Sequence, residues 1–190
     1  MKKFIHIPVP VEMQELAKDG RGYPVPNIVL VDKNGRPHFQ VNDHVKVAEC
    51  IDNRLCAICG KSLGDDIWFV GGPLSAFHPH GAYIDPPVHH NCGYYALQVC
   101  PWLASMHYKK RIDASTITEL NFQGITAIDP TVMPERPPFF VCVKVKDFEI
   151  LPTRHMRTIK PYLAIEYWHH GNPIAPSQAQ ALANRYYNGL

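Results

Sequence analysis

The sequence predicts an α+β fold of short antiparallel hairpins and about three helices. Three observations carry this. Proline occupies 18 of 190 positions, about twice the usual share of roughly 5%. Inside a helix it removes a hydrogen bond and clashes with the preceding turn, which excludes a helical bundle or coiled coil. Several short β-branched or alternating runs are bounded by turn residues, as strands are. Hydrophobic residues make up 46% of the chain and charged residues only 19%, enough apolar surface for a core and too little charge for a disordered chain.

The length fits one domain, or one domain with a small metal-stapled part. Residues 1–105 read as an N-terminal hairpin with a knuckle-and-helix module. Residues 106–190 read as a strand pair and a helix packed on it. Pro-rich residues 1–26 are irregular, with one helical turn around Val11–Ala17. Asn27–Val41 reads as a hairpin: Ile28–Val31 goes out, Asp32-Lys33-Asn34-Gly35 turns, and His38–Val41 returns. A helix follows, capped by Asn42 or Asp43, with Val45, Ala48 and Ile51 as the face that leans on the hairpin. A knuckle at Cys56–Gly60 leads to a strand at Ile67–Val70, a Gly71-Gly72-Pro73 break and a His/Tyr loop. Asp85-Pro86-Pro87 reads as a helix start, with Asp85 as cap and the helix running over Pro87–Val99 until Cys100-Pro101 ends it. Trp102–Lys110 reads as a helical turn, and Ile112–Leu120 fits either type. Phe139–Val145 and Leu163–Trp168 read as strands that pair across a long basic loop, Lys146–Lys160. A helix capped at Ser177 and ending near Tyr187 closes the chain.

The chemistry concentrates between residues 55 and 92. Cys56-x2-Cys59-Gly60 has the spacing at which two thiolates reach one ion, and a glycine there relieves a turn that needs φ > 0. A structural Zn²⁺ takes four ligands. His89 and Cys92, three apart on one helical face, supply the second pair, and a helix N-terminus favours a nearby thiolate. A knuckle followed by a helix bringing the second pair is a treble-clef arrangement. His90, about 100° further round a helix, is an alternative to His89 that spacing does not separate. The expected metal set is therefore Cys56, Cys59, His89 and Cys92, holding a structural Zn²⁺ with no open position for water. Cys50, Cys100 and Cys142 read as small core residues. A redox pair at Cys56 and Cys59 would need a helix N-terminus, where a Gly-Lys-Ser-Leu-Gly turn stands instead.

Several motifs occur in order: Tyr23-Pro24-Val25-Pro26, Val31-Asp32…Gly35-x-Pro37-x-Phe39, Cys56-x2-Cys59-Gly60-x2-Leu63-Gly64 and Phe69-Val70-Gly71-Gly72-Pro73. Asp85-Pro86-Pro87-x-His89-x2-Cys92, Tyr95-Ala96 and Cys100-Pro101-x-Leu103 follow. Over residues 21–105 this resembles a family of small bacterial and phage-encoded hypothetical proteins with no assigned activity. The resemblance implies a cytoplasmic bacterial or phage protein with a treble-clef-like zinc site.

A second comparison is with HNH-type nucleases, which use the same scaffold. They need a histidine general base beside a residue holding a divalent ion. His78, His80, His89, His90 and Asn91 offer the residue types, but the Asp-His pair on the strand before the helix is not evident. The basic groups Lys109-Lys110-Arg111 and Arg154, Arg157 and Lys160 are the expected phosphate contacts if the chain binds nucleic acid, with Trp102, Tyr108 and Tyr162 available to stack. Against that, the net charge is only +2 with eleven histidines, far from a strongly basic footprint.

No apolar run approaches the ~20 residues of a membrane span. The stretch MKKFIHIPVPVEMQE is broken by His6, Pro8 and Pro10 and does not read as a signal peptide. The six cysteines therefore read as reduced thiols of a cytoplasmic protein. The function expected from all this is a zinc-stabilised binding protein engaging a host macromolecule, with a host protein favoured over nucleic acid. The competing reading is a nucleic-acid-binding protein or an HNH-like metal-dependent nuclease.

Overall fold

The computed structural model describes residues 7–105 and 136–187. Its centre is a four-stranded antiparallel sheet of β3 (Ile67–Gly71), β4 (Phe140–Val145), β7 (Ala164–His169) and β8 (Asn172–Ile174), in that order. The first half of the chain thus contributes one edge strand to a sheet that the second half completes. Register fixes the two faces, because side chains alternate along a strand. Trp68 pairs with Lys144, Cys142 with Glu166 and Phe140 with Trp168, so these six share one face. Phe69 pairs with Val143, which pairs with Ile165, and Val141 pairs with Tyr167 on the other.

Each face is covered by a different segment. Helix α3 (His90–Val99) lies on the first, where the Tyr94 ring meets Trp168 edge-on at 4.9 Å and His90 stacks on Trp68 at 4.4 Å. The second receives Tyr83, Phe148 and Phe77, which contact Phe69 at 4.8 Å, Phe69 at 5.3 Å and Tyr167 at 6.3 Å. Trp168, Phe69, Val141, Val143 and Val145 are almost wholly enclosed between the layers. Burying such side chains is worth ~1.5–3 kcal/mol each.

The remaining elements follow local chemistry, with five departures from the sequence reading. The hairpin of β1 (Val29–Val31) and β2 (Pro37–Asn42) forms as expected. Asp43 alone caps α1 (His44–Asp52), accepting from the Val45 and Lys46 amides. The inward stripe of α1, however, is Val47, Cys50 and Ile51, and Val45 is 62% exposed. The cap sets the helix phase, and a residue and its neighbours three and four further on share a face. Pro73 does not merely break the chain after β3; it opens a short helix, α2 (Pro73–Phe77).

The third departure concerns Asp85-Pro86-Pro87, which starts no helix. Asp85 accepts from the Asn42 side chain at 2.7 Å, and α3 begins at His90. The fourth lies in the basic loop, which holds its own hairpin of β5 (Phe148–Ile150) and β6 (Met156–Thr158). Tyr83 exchanges two backbone bonds of 2.8 Å with Met156, tying that hairpin to the middle of the chain. Helix α4 (Pro101–Ala104) follows directly on α3. The Arg136 guanidinium donates to the Leu103 and Ser105 carbonyls at its end. Helix α5 (Pro176–Tyr187) starts one residue before the expected cap Ser177, and Gln178 accepts from the Ala175 amide instead. Among the described residues no helix is long and apolar enough to cross a membrane. The expected helical turn at Trp102–Lys110 and the segment Ile112–Leu120 fall largely or wholly outside the described residues.

The β1–β2 turn is held by Asp32. It accepts from the Asn34 and Arg36 amides at 2.9 Å each and from His38 Nε2 at 3.0 Å. The Arg36 amide and the His38 ring hold its carboxyl below the ordinary carboxylate range. A depressed pKa stabilises the fold above the unfolded value of about 3.9 and ceases to do so as pH falls through the folded value. Asp32→Asn is therefore expected to lower the urea midpoint at neutral pH. The gap to the unaltered protein should close below about pH 4, as urea titrations at several pH values would measure.

Candidate metal centre

The knuckle is built by backbone pairing around two cysteines. The Gly60 amide donates to the Cys56 carbonyl at 2.8 Å, and the Cys56 amide to the Lys61 carbonyl at 2.8 Å. Gly60 has φ +73, the left-handed conformation that its lack of a side chain permits, and an added Cβ would stand 3.1 Å from the Asn27 side chain. The loop is anchored on one side by Asn27 and Ile28, whose amides donate to Ile58 and Ala57.

On its other side the knuckle meets the segment that carries the second pair. The Ala57 amide donates to the Pro87 carbonyl at 3.0 Å. One residue on, Val88 exchanges bonds of 2.8 and 3.0 Å with Trp68 of β3. Pro87-Val88 is thus a short extended strip wedged between the knuckle and the sheet edge. It delivers His89 as the residue that caps α3 and Cys92 in the first turn.

The result is a cluster in which one ligand atom each of Cys56, Cys59, His89 and Cys92 lies within 4.8 Å of every other. The three cysteines are buried and His89 is half-buried. His89 Nδ1 is 3.2 Å from Cys59 Sγ, and Nε2 is 2.9 Å from the Ser62 carbonyl oxygen. A carbonyl only accepts, so Nε2 carries the proton and Nδ1 turns its lone pair toward the thiols. The choice left open between the two adjacent histidines is thereby made: His90 Nε2 is engaged 2.7 Å from Glu166 Oε1.

The electrostatics favour thiolate at this point. Cys56 Sγ is the acceptor of the group: the Cys59 and Cys92 thiols surround it, and the amides of Cys59 and His89 donate to it at 3.5 and 3.4 Å. These bonds outweigh burial and pull its thiol far below the ordinary value. The same proximity pushes the Cys92 thiol up, since its hydrogen bonds with Cys56 and Cys59, together with burial, favour its protonated form. Three adjacent sulfurs cannot all ionise without a cation among them. A tetrahedral ion with soft and imidazole ligands fits this donor set.

The other cysteines stand apart. Burial raises the Cys50 thiol to about 11 and pushes Cys142 up as well. Cys100 is half-buried at the end of α3. Among the described residues no second group of three or more His, Cys, Asp and Glu side chains approaches closely enough for an ion. Of the residue types that a nuclease would use, Asn91 donates to Glu12 at 3.1 Å, and His78 and His80 lie together on the turn after α2.

Of the expected phosphate contacts, Arg157 and Lys160 line one cleft, and both described arginines of the set are engaged by carboxylates. Arg154 pairs with Asp52 and Arg157 with Glu149, both at 3.0 Å. Lys160 sits 5.8 Å over the Tyr162 ring. Lys109, Lys110 and Arg111 lie outside the described residues.

The sequence reading missed the polar frame around α3. Asp66 accepts from the His90 amide and the Trp68 indole, with Lys144 at 3.8 Å. Burial pushes its carboxyl up, but these partners outweigh burial and hold it below the ordinary range. Glu166 receives both His90 and the Trp168 indole. Only strand register brings Glu166 to α3, so no spacing signal marks it.

No protein family, curated protein or solved structure matches the chain.

The two adjacent histidines make opposite predictions. His89→Ala is expected to lose bound metal on dialysis, and His90→Ala to retain it at the unaltered stoichiometry. Elemental analysis of both variants after gel filtration checks this.

Proposed function

We propose that the protein is a zinc-stabilised binding module whose ion is structural. The observation that carries this is the closed set of Cys56, Cys59, His89 and Cys92 within 4.8 Å. Four protein ligands leave no position for a reacting water, so the ion's work is to hold the knuckle against α3. Zinc is favoured because three sulfurs and one imidazole nitrogen in a tetrahedral set match it better than harder cations.

The activity is engagement of a macromolecule, and the favoured partner is a protein of the host cell. This fits a cytoplasmic chain of bacterial or phage origin, as the motif resemblance implies. Support comes from the surface. Leu163, Ile165 and Phe77 are 59%, 41% and 40% exposed, and the Phe77 ring lies against those of Tyr162 and Tyr167. Protein interfaces have such apolar and tyrosine-rich centres. The pairing of Arg154 and Arg157 with carboxylates weighs against an extended nucleic-acid surface.

Purified protein is expected to carry one zinc per chain. Cys59→Ser or a strong chelator should remove it and destabilise the fold by about 4 kcal/mol or more, seen in urea titrations. Zinc-loaded protein should capture a stoichiometric protein from host lysate, and Ile165→Asp should abolish the capture. Divalent-metal-dependent DNA cleavage, with no such capture, would replace this reading by the nuclease one.

A further inference from the structure

The β5–β6 hairpin and α2 enclose a second feature, on the sheet face away from the metal cluster's helix. A cleft of about 190 Å³ lies between them. One wall is α2 with the turn after it, presenting Ser75 and His78. The other is the end of β6 and the chain beyond, presenting Arg157, Thr158 and Lys160. We propose that this cleft binds the phosphate group of a small phosphate compound, either the free ion or a phosphate monoester.

Four observations support the assignment. First, the lining charge has one sign: a guanidinium and an ammonium line the cleft beside an imidazole, and among the described residues no carboxylate does. Second, donors there are uncommitted. Arg157 spends Nη1 on Glu149, across the hairpin, while its Nε is buried without a partner. Lys160 has no acidic partner among the described residues and rests on the Tyr162 ring. The His80 amide donates to His78 Nδ1 at 3.1 Å, which leaves Nε2 as the protonated, donating nitrogen.

Third, the walls are fixed relative to each other before any ligand arrives. The Tyr162 hydroxyl bridges them, donating to the Ala76 carbonyl and lying 3.0 Å from Thr158 Oγ1. Within the first wall, Gly81 packs so hard on α2 that an added Cβ would stand 2.4 Å from the Ser75 carbonyl oxygen. A preformed set of donors loses little on binding. Fourth, size limits the ligand. Drug-sized sites span roughly 300–1,000 Å³, so this cleft admits a small head group rather than a base or a sugar as well. A planar guanidinium and a mobile ammonium around a compact oxyanion are the usual phosphate recognition pair. Glu149 offsets part of the Arg157 charge, so selectivity for the anion falls mainly on Lys160.

Lys160 is exposed and packs into no core, so Lys160→Gln tests the site without risk to the fold. Backbone amide spectra of the zinc-loaded protein would be followed against inorganic phosphate, with sodium chloride at matched ionic strength as control. Glycerol phosphate would be titrated in parallel. Saturable shifts confined to residues 75–81 and 157–162 are expected, and Lys160→Gln should weaken binding by about tenfold. Tighter saturation by glycerol phosphate assigns the monoester, and tighter saturation by inorganic phosphate assigns the free ion. Shifts that never saturate, that chloride reproduces, or that Lys160→Gln leaves unchanged would overturn the proposal.

Discussion

The structure depends on the strip Pro87-Val88 being paired on both sides. Its carbonyl at Pro87 accepts from the knuckle, and Val88 exchanges two bonds with Trp68 at the edge of the sheet. Those few backbone bonds convert a separation in sequence into a cluster of ligand atoms within 4.8 Å. They also set where α3 begins, and so which face of the sheet it covers. A bound ion would reinforce this geometry rather than create it, because the knuckle turn and the His89 tautomer are each fixed by partners outside the cluster.

Much of this was legible in the sequence because it rests on local rules. The knuckle spacing, the Asp-Lys-Asn-Gly turn and the alternating runs at 139–145 and 163–168 each encode their structure within a few residues. The α+β class and the convergence of Cys56, Cys59, His89 and Cys92 follow from them. The misreadings share a cause. Asp85-Pro86-Pro87 has the local chemistry of a helix start, yet Pro87 and Val88 gain more as an extended strip between two other elements. Val45 fits an apolar stripe, yet the Asp43 cap rotates it outward and the core takes Val47, Cys50 and Ile51. Tertiary partners decided these cases, and one sequence does not name its tertiary partners. The β5–β6 hairpin was hidden similarly: charged, short strands carry little periodic signal.

Helix α3 joins the two halves of the chain. Its first turn carries Cys92 of the cluster and His90, which meets Glu166, and its second places Tyr94 on Trp168, both partners from β7. The cluster and the C-terminal strands therefore lean on the same ten residues. Disturbing the metal ligands should be felt in the sheet, although no ligand belongs to it. The opposite face is organised without α3: Tyr83, Phe148 and Phe77 close it, and Tyr162 pins α2 to the chain after β6. One sheet thus separates the side of the Cys/His cluster from a side shaped by the inserted hairpin.

The position of β3 at the sheet edge has a consequence for biosynthesis. Its neighbours are the strip at Val88 and, much later in the chain, β4. At about 5–20 residues per second, β4 leaves the ribosome seconds after β3. During that interval the nascent chain already holds the knuckle, the strip and α3, while the strand Ile67–Gly71 still waits for its long-range mate. Its Phe69 side chain, enclosed in the finished molecule, then still lacks Phe148, which packs on it from the later part of the chain. Translation thus delivers the ion-ready half first and leaves its apolar flank uncovered until the C-terminal strands arrive.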